Sequence, residues 1–284
     1  MSTKLRTPLR YPGGKKRLAN FVEFLISRNG LKGCDYVEPY AGGAGLAIEL
    51  LNRGVVNSIW LNDIDGGVSA FWNAVLNHSD EFCQLIDDTP VTIEEWFKQK
   101  ELLCNSSGLK RAFAFFFLNR TNRSGILTAG VIGGKAQSGK WKLDCRFNKA
   151  DLISRIQNLA LARDSIHFSN ADAVDFMNQF STDKTRSLFF YLDPPYYLKG
   201  AGLYFNAYCD DDHEKVSETV RQFKSPWIVS YDNHEFIRNL YQNFPCLEYD
   251  LNYSAHLHTQ GREVIFFGNL NFLPDSVDNI GLFA

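Results

Sequence analysis

Apolar runs broken by glycine, proline and carboxylates divide the chain into short strands and longer helices. Asp35-Tyr36-Val37-Glu38 reads as a strand ending on a carboxylate; the turn Gly42-Gly43-Ala44-Gly45 follows, and Leu46 to Asn52 reads as a helix. A second strand, Asn57 to Asp63, leads into a helix from about Gly67 to Leu76. Strand, turn, helix, strand is the opening of a doubly wound α/β sheet. The pattern then changes. Between Ser79 and Ala162 the periodicity predicts helices, Glu94 to Cys104 and Leu109 to Leu118 among them, with a polar loop from Asn119 to Phe147 and a helix capped by Asp151. Strands return at Ser165 to Phe168, Ser187 to Asp193, Trp227 to Tyr231 and Glu263 to Gly268, with helices at Ala173 to Phe180, Asp212 to Phe223 and Glu235 to Tyr241. The expected organisation is a sheet domain, residues 1–76 and 163–284, interrupted by a mostly helical insert, residues 77–162. The phenylalanine-rich run Phe113 to Phe117 reads first as core.

Composition adds little until it is read locally. The formal net charge is −2, from 30 basic and 32 acidic residues, which argues neither for nor against a nucleic-acid partner. The basic residues are nevertheless clustered. Residues 110–149 hold Lys110, Arg111, Arg120, Arg123, Lys135, Lys140, Lys142, Arg146 and Lys149 against the single acid Asp144. The first 22 residues hold Lys4, Arg6, Arg10, Lys15, Lys16 and Arg17 and no acid. Each island alone reads as a solvated face; together, flanking a nucleotide-type sheet, they suit phosphate neutralisation on double-stranded DNA. The six scattered cysteines form no CxxC pair and read as reduced thiols. The His256-Leu257-His258 pair is a weak metal signal, and no metal is expected. The polar, basic start has no signal-peptide core, and no run reaches the roughly 18 apolar residues of a membrane span. A cytoplasmic protein of a bacterial, archaeal or phage-infected cell is expected.

Two motifs carry the chemistry. A strand feeding Glu38-Pro39-Tyr40-Ala41-Gly42-Gly43 suits a nucleoside cofactor, because glycine lets the backbone turn tightly against a ligand. Asp63, at the end of the next strand, can accept both ribose hydroxyl hydrogen bonds. The absence of a GxxxxGK[ST] loop argues against a nucleotide triphosphatase. The second motif is the apolar strand Leu188 to Leu192 running into Asp193-Pro194-Pro195-Tyr196. Consecutive prolines stiffen the chain and remove donors. The Asp193 carboxylate and the Pro194 carbonyl can each accept a hydrogen bond from one exocyclic amine, and Tyr196 can stack on the base ring. The electrophile would be a sulfonium methyl in line with that nitrogen.

With these residues in view, the chain resembles the Dam family of DNA adenine-N6 methyltransferases over nearly its whole length. Leu9-Arg10-Tyr11-Pro12-Gly13-Gly14-Lys15 is similar to the family's aromatic-x-GGK start, and Glu38 to Gly43 to its EPF-x-G motif with Tyr40 in place of Phe. Asn62-Asp63-Ile64-Asp65 resembles its ribose-binding strand end, Phe117-Leu118-Asn119-Arg120 its recognition segment, DPPY its catalytic motif, and Arg262-Glu263-Val264-Ile265 its closing strand. The resemblance implies a Rossmann-like sheet, S-adenosyl-L-methionine as cofactor and duplex DNA as partner. It implies that Tyr11 and Lys15 contact the methionine end, that Glu38, Pro39, Tyr40, Gly42 and Gly43 form the floor, and that Asp63 holds the ribose. Asp172 would lie beside the adenine, although an N-cap on the following helix explains it equally well. Asp193 would meet both cofactor and target adenine, with Pro194, Pro195 and Tyr196. Arg10, Asn119, Arg120, Asn122, Arg123, Lys135 and Lys140 are the expected DNA contacts, with Asn119 to Gly125 the candidate base-reading stretch. Tyr197 to Tyr208, with Tyr204 and Phe205, is an aromatic segment suited to close over a flipped base. A monomer is expected, and nothing in the sequence indicates a restriction endonuclease partner. RNA adenine and DNA cytosine-N4 methylation use the same core and stay open at this point; a non-catalytic relative is disfavoured by the intact Asp193, Pro194 and Tyr196.

Overall fold

The computed structural model describes residues 4–11, 15–180, 185–198, 208–251 and 261–274. Seven strands form one sheet: β1 Asp35–Glu38, β2 Ser58–Asn62, β3 Ile166–Ser169, β4 Leu188–Leu192, β5 Trp227–Asp232, β6 Cys246–Leu251 and β7 Gly261–Gly268. Their order across the sheet is β3-β2-β1-β4-β5-β7-β6. β1 to β5 pair in parallel, and β7 runs antiparallel to both its neighbours, β5 and β6. β6 was not expected from the sequence, nor was the helix α1, Ala19–Arg28. Strand order reverses between β1 and β4, and at such a switch point the carboxyl ends diverge and leave a crevice for ligands. Glu38 ends β1 and Asp193 follows β4, so both carboxylates stand at that crevice.

The alternation of side chains along the strands explains the two layers. Tyr36, Phe189, Tyr191 and Ile228 point into one core, Val37, Phe190, Leu192 and Val229 into the other. All five residues of β4 are buried, as a parallel strand covered on both faces requires. The second core is closed by α8 Ala173–Asn178, α9 Asp210–Arg221 and α10 Glu235–Leu240, which contribute Phe176, Val216, Val220 and Ile237. The first is closed by α1, α2 Gly45–Asn52, α3 Gly66–Asn77 and the insert.

The insert between α3 and β3 holds α4 Ser79–Asp88, α5 Ile93–Asn105, α6 Gly108–Thr121 and α7 Lys149–Leu161. α6 is buried almost all round, from Ala112 to Asn119, so its phenylalanines do serve as core. Phe116 stacks on Phe71 of α3 at 5.9 Å between ring centroids and meets Phe82 at 5.5 Å and Phe147 at 5.7 Å. At Gly67 an added Cβ would lie 2.5 Å from the Phe115 ring, so α6 needs a glycine there to approach α3. Insert and sheet therefore share one continuous apolar core. All six cysteines are free thiols. No helix among the described residues is long and apolar enough to cross a membrane.

Candidate active site

The glycine turn after β1 is shaped by the segment that precedes it. Gly42 has φ 46° and Ala44 φ 48°, both left-handed, and a Cβ on Gly42 would lie 2.6 Å from Tyr11 Cζ. The Tyr11 ring thus lies against the turn at the one position where a side chain would displace it. Asp63 ties the same turn to the end of β2. Its Oδ2 accepts from the Gly42 N–H at 2.8 Å and its Oδ1 from the Asp65 N–H at 2.9 Å. Burial lifts the Asp63 carboxyl to about 6, against the pull of those two backbone donors. Asp65 caps α3, accepting from Gly67 and Val68, which leaves Asp63 as the strand-end carboxylate at the crevice. Asp172 likewise caps α8 through Val174 and Asp175. The buried Asn62 joins three strand ends: its amide donates to the carbonyls of Pro39 and Ala171 and accepts from Ala171 N–H. Tyr40, in the turn, takes a hydrogen bond from Tyr208 at 3.2 Å.

Across the switch point lies the DPPY loop. Asp193 Oδ1 accepts from Ser230 Oγ of β5 at 2.8 Å and lies 3.4 Å from Lys15 Nζ. Ser230 also meets the Tyr191 hydroxyl at 2.9 Å. Burial raises Asp193 above the ordinary carboxylate range and Lys15 works against that rise, while Glu263 adds to it. Burial alone would lower Lys15, but Asp193 and Glu263 outweigh it and hold the ammonium above its usual range. Tyr196 is buried, with its hydroxyl donating to Glu263 Oε1 at 2.6 Å and accepting from Lys15. Beyond it, Asp232 at the end of β5 accepts from the Tyr197 and Leu198 N–H groups at 2.9 and 2.8 Å, which turns the chain away after the motif. Glu38 is buried beside Asp193, and burial first, then that neighbouring carboxylate, push it well above its usual range. Its Oε2 has no hydrogen-bond partner among the described residues.

A glycine turn with a strand-end Asp lies on one side of the crevice and a proline-stiffened Asp on the other, so a nucleoside and an exocyclic amine can be held side by side. Residues 11–255 match the model of the D12 class N6 adenine-specific DNA methyltransferases. The chain belongs to this family. Among its relatives is the Type II methyltransferase M.CviBI of Paramecium bursaria Chlorella virus NC1A, 23% identical over 254 residues, covering 88% of this chain and 92% of the relative. Another is the Type II methyltransferase M.MjaIII of Methanocaldococcus jannaschii, 22% identical over 264 residues, covering 83% of this chain and 88% of the relative. As a D12-class enzyme the protein methylates adenine N6 in DNA, and the family implies S-adenosylmethionine-dependent chemistry.

The insert places the expected DNA contacts of this D12-class enzyme unevenly. Helix α6 runs through Thr121, so Asn119 belongs to its last turn rather than to a loop. Asn119 is buried. It accepts from the Arg10 N–H at 2.8 Å and donates to the carbonyls of Arg10 and Gly125. Asn122 is buried too, accepting from the Trp96 indole N–H at 2.7 Å and donating to the carbonyls of Ile126 and Leu127. Neither amide presents a free edge to a base, because both are spent on fixing backbone. Arg120 donates to the carbonyls of Arg146 and Pro8. Burial, with Arg10 next, lowers its guanidinium to about 10. Arg10 is half-buried and donates to the Asn122 carbonyl at 2.9 Å. Arg123 is different: it is exposed, and its guanidinium makes no hydrogen bond among the described residues. Lys135 and Lys140 are exposed, over the faces of Phe97 and Trp141 respectively.

Ser230 and Asp232 also stand at the crevice and carry no motif that marks them, while Asn62 and Glu263 lie inside quoted segments that gave them no role of their own. A buried polar residue inside an apolar strand was the available signal, as in Ile228-Val229-Ser230-Tyr231. Pro12, Gly13, Gly14, Tyr204, Phe205, His256 and His258 lie outside the described residues.

Proposed function

We propose that the protein transfers the methyl group of S-adenosylmethionine to the exocyclic amine of an adenine swung out of duplex DNA, at a specific short site. The observation that carries this reading is the pair of carboxylates at the switch point, the partly buried Asp193 with one oxygen already engaged and the buried Glu38 with an oxygen that meets no hydrogen-bond donor among the described residues. An acceptor buried without a partner is costly, on the order of 1–3 kcal/mol. A ligand bearing an ammonium and a sulfonium supplies what that acceptor lacks, and Gly42 lets the Tyr11 ring pack directly against the turn. The residues fit the cofactor.

In this reading Tyr11, Lys15, Glu38, Pro39, Tyr40, Gly42, Gly43 and Asp63 hold the cofactor, with Asp172 near its adenine. The bound cofactor supplies an electrophilic methyl group. The chain supplies position and charge. Ser230 and Lys15 occupy Asp193 Oδ1, so Oδ2 is the oxygen that accepts from the target amine, together with the Pro194 carbonyl. These two acceptors fix the direction of the nitrogen lone pair and stabilise the positive charge that grows on it. Pro195 stiffens the loop and Tyr196 offers its ring to the base. An adenine inside a duplex hides its amine, so it must leave the stack, at a cost of a few kcal/mol. The helical insert, residues 77–162, is the target-recognition part. Arg123, Lys135 and Lys140 face DNA directly, while Asn119, Asn122, Arg120 and Arg10 shape the surface that carries them.

The decisive experiment is transfer of a labelled methyl group from S-adenosylmethionine to unmethylated duplex DNA, followed by base-resolution mapping. N6-methyladenine at one short motif is expected; a label on RNA or on cytosine alone would overturn the reading. Two variants extend it. Arg123→Ala should weaken or relax site choice by about 1–3 kcal/mol while leaving cofactor affinity unchanged; an unchanged methylation profile would move recognition to another part of the insert. Gly42→Ala puts a Cβ into the Tyr11 ring at a left-handed backbone position, which alone costs roughly 1–2 kcal/mol. Calorimetric titration should show cofactor affinity reduced by about tenfold or more, and an unchanged affinity would remove the turn from the cofactor site.

A further inference from the structure

Because β7 runs against β5, its first residues lie at the same edge of the sheet as the last residues of the parallel strands. Glu263 pairs in register with Asp232, the final residue of β5, and with Tyr249 of β6. Its side chain is 2% exposed. Oε1 accepts from the Tyr196 hydroxyl at 2.6 Å; Oε2 accepts from Lys15 Nζ at 3.0 Å and from the Tyr249 hydroxyl. Lys15 in turn reaches Asp193 at 3.4 Å. A buried carboxylate is stable only when paired and hydrogen-bonded. Of the partners of Glu263 named here, Tyr196 belongs to DPPY and Lys15 touches it, while Tyr249 lies on β6.

We propose that Glu263 is a positioning residue for methyl transfer: it holds Lys15 and Tyr196 against the DPPY loop and so sets the orientation and charge of Asp193. The inference rests on the role given to Asp193 above. Lys15 stands between two carboxylates and cannot serve Asp193 alone. Glu263 fixes where the ammonium sits and, as a second negative charge, opposes ionisation of Asp193. Around Asp193 the tyrosines Tyr36, Tyr191, Tyr196 and Tyr249 are all pushed well above their usual range, burial being the first cause, so none titrates in acid. Glu38, on β1, responds to burial first and then to Asp193. Lys15 stays charged through the acid range. Removing the Glu263 charge therefore lets Asp193 ionise at lower pH.

The test compares Glu263→Gln, which removes the charge and keeps the length, with Glu263→Asp, which keeps the charge and shortens the reach. Single-turnover rates are measured from acid to neutral pH on the folded proteins, with wild type and Asp193→Ala alongside. Both Glu263 variants should lose about tenfold or more in rate through misplacement of the loop, and only Gln should move the acid limb of the profile to lower pH. A folded Glu263→Gln protein with the wild-type rate and the wild-type acid limb overturns the inference, as does a variant that loses thermal stability alone. Should Glu263→Gln not fold, Tyr249→Phe carries the test: a rate loss of a few-fold supports the role and a wild-type rate overturns it. Failure of the underlying reading looks different, since an Asp193→Ala protein that still methylates adenine would remove the role of Asp193 whatever the Glu263 variants do.

Discussion

Asp193→Ala should lower methyl transfer by about 10³-fold or more while the protein stays folded and still binds S-adenosylmethionine. Preorganised acceptors aimed at a developing charge are individually worth roughly 10²–10³ in rate, and in the proposed mechanism the same carboxylate also orients the nucleophile. The fold has little reason to fail, because β4 is held by five buried residues and the loop beyond it by Asp232. Lys15 loses one partner but keeps Glu263 and Tyr196. The proposed cofactor contacts on the opposite side of the crevice, Asp63 and the Gly42 turn, are untouched. Single-turnover transfer and calorimetric titration on the same preparation separate the two effects. A folded variant that transfers within tenfold of wild type would take the catalytic role away from Asp193, and one that binds no cofactor would make it chiefly a cofactor ligand.

Phe116→Ala should cost about 3–5 kcal/mol of stability, the usual range for emptying a buried aromatic site. It should lower the unfolding midpoint on the order of 10 °C. Phe116 is fully buried and touches α3, α4 and Phe147 together, so the void cannot collapse from one side. Because α6 shares its core with one face of the sheet, helix content, tyrosine and tryptophan environment, and DNA binding should be lost in a single transition. Two resolved transitions, the first abolishing DNA binding alone, would show that the insert melts as a unit of its own.

The parts legible in the sequence are those whose signal is local. An apolar run into Asp-Pro-Pro-Tyr, or a strand into Gly-Gly-Ala-Gly, announces its own geometry within ten residues. The cap reading of Asp172 is also local chemistry and holds, whereas the helix at 149–161 is capped by Asn148, which accepts from the Asp151 N–H, and not by Asp151. What was missed depends on distant neighbours. Glu263 falls in a segment marked only as a closing strand, and its part in the site shows once Lys15 and Tyr196 are brought beside it. Asn119 and Asn122 sit in a Gly-, Ser- and Arg-rich stretch that has the composition of a recognition loop, yet their amides are claimed by Arg10, Trp96 and nearby carbonyls. Composition reports polarity; it does not report whether that polarity is already satisfied. β6 has a mixed sequence, Cys-Leu-Glu-Tyr-Asp-Leu, and becomes a strand because β7 offers it an unpaired edge.

The connectivity around Lys15 also governs when the site can exist. Its contact with Tyr196 closes a loop of 181 residues and its contact with Glu263 one of 248. Pairings that distant yield their free energy only after the chain between them has been ordered, so they form late and slowly. A nascent chain emerging from its N-terminus can build the β1–β2 pair and the insert helices early, but the triad of Lys15, Asp193 and Glu263 has to wait for β7, the last strand in chain order. Until then Lys15 is a lone ammonium without its carboxylates, and a chain cut before residue 263 leaves it short of one permanently.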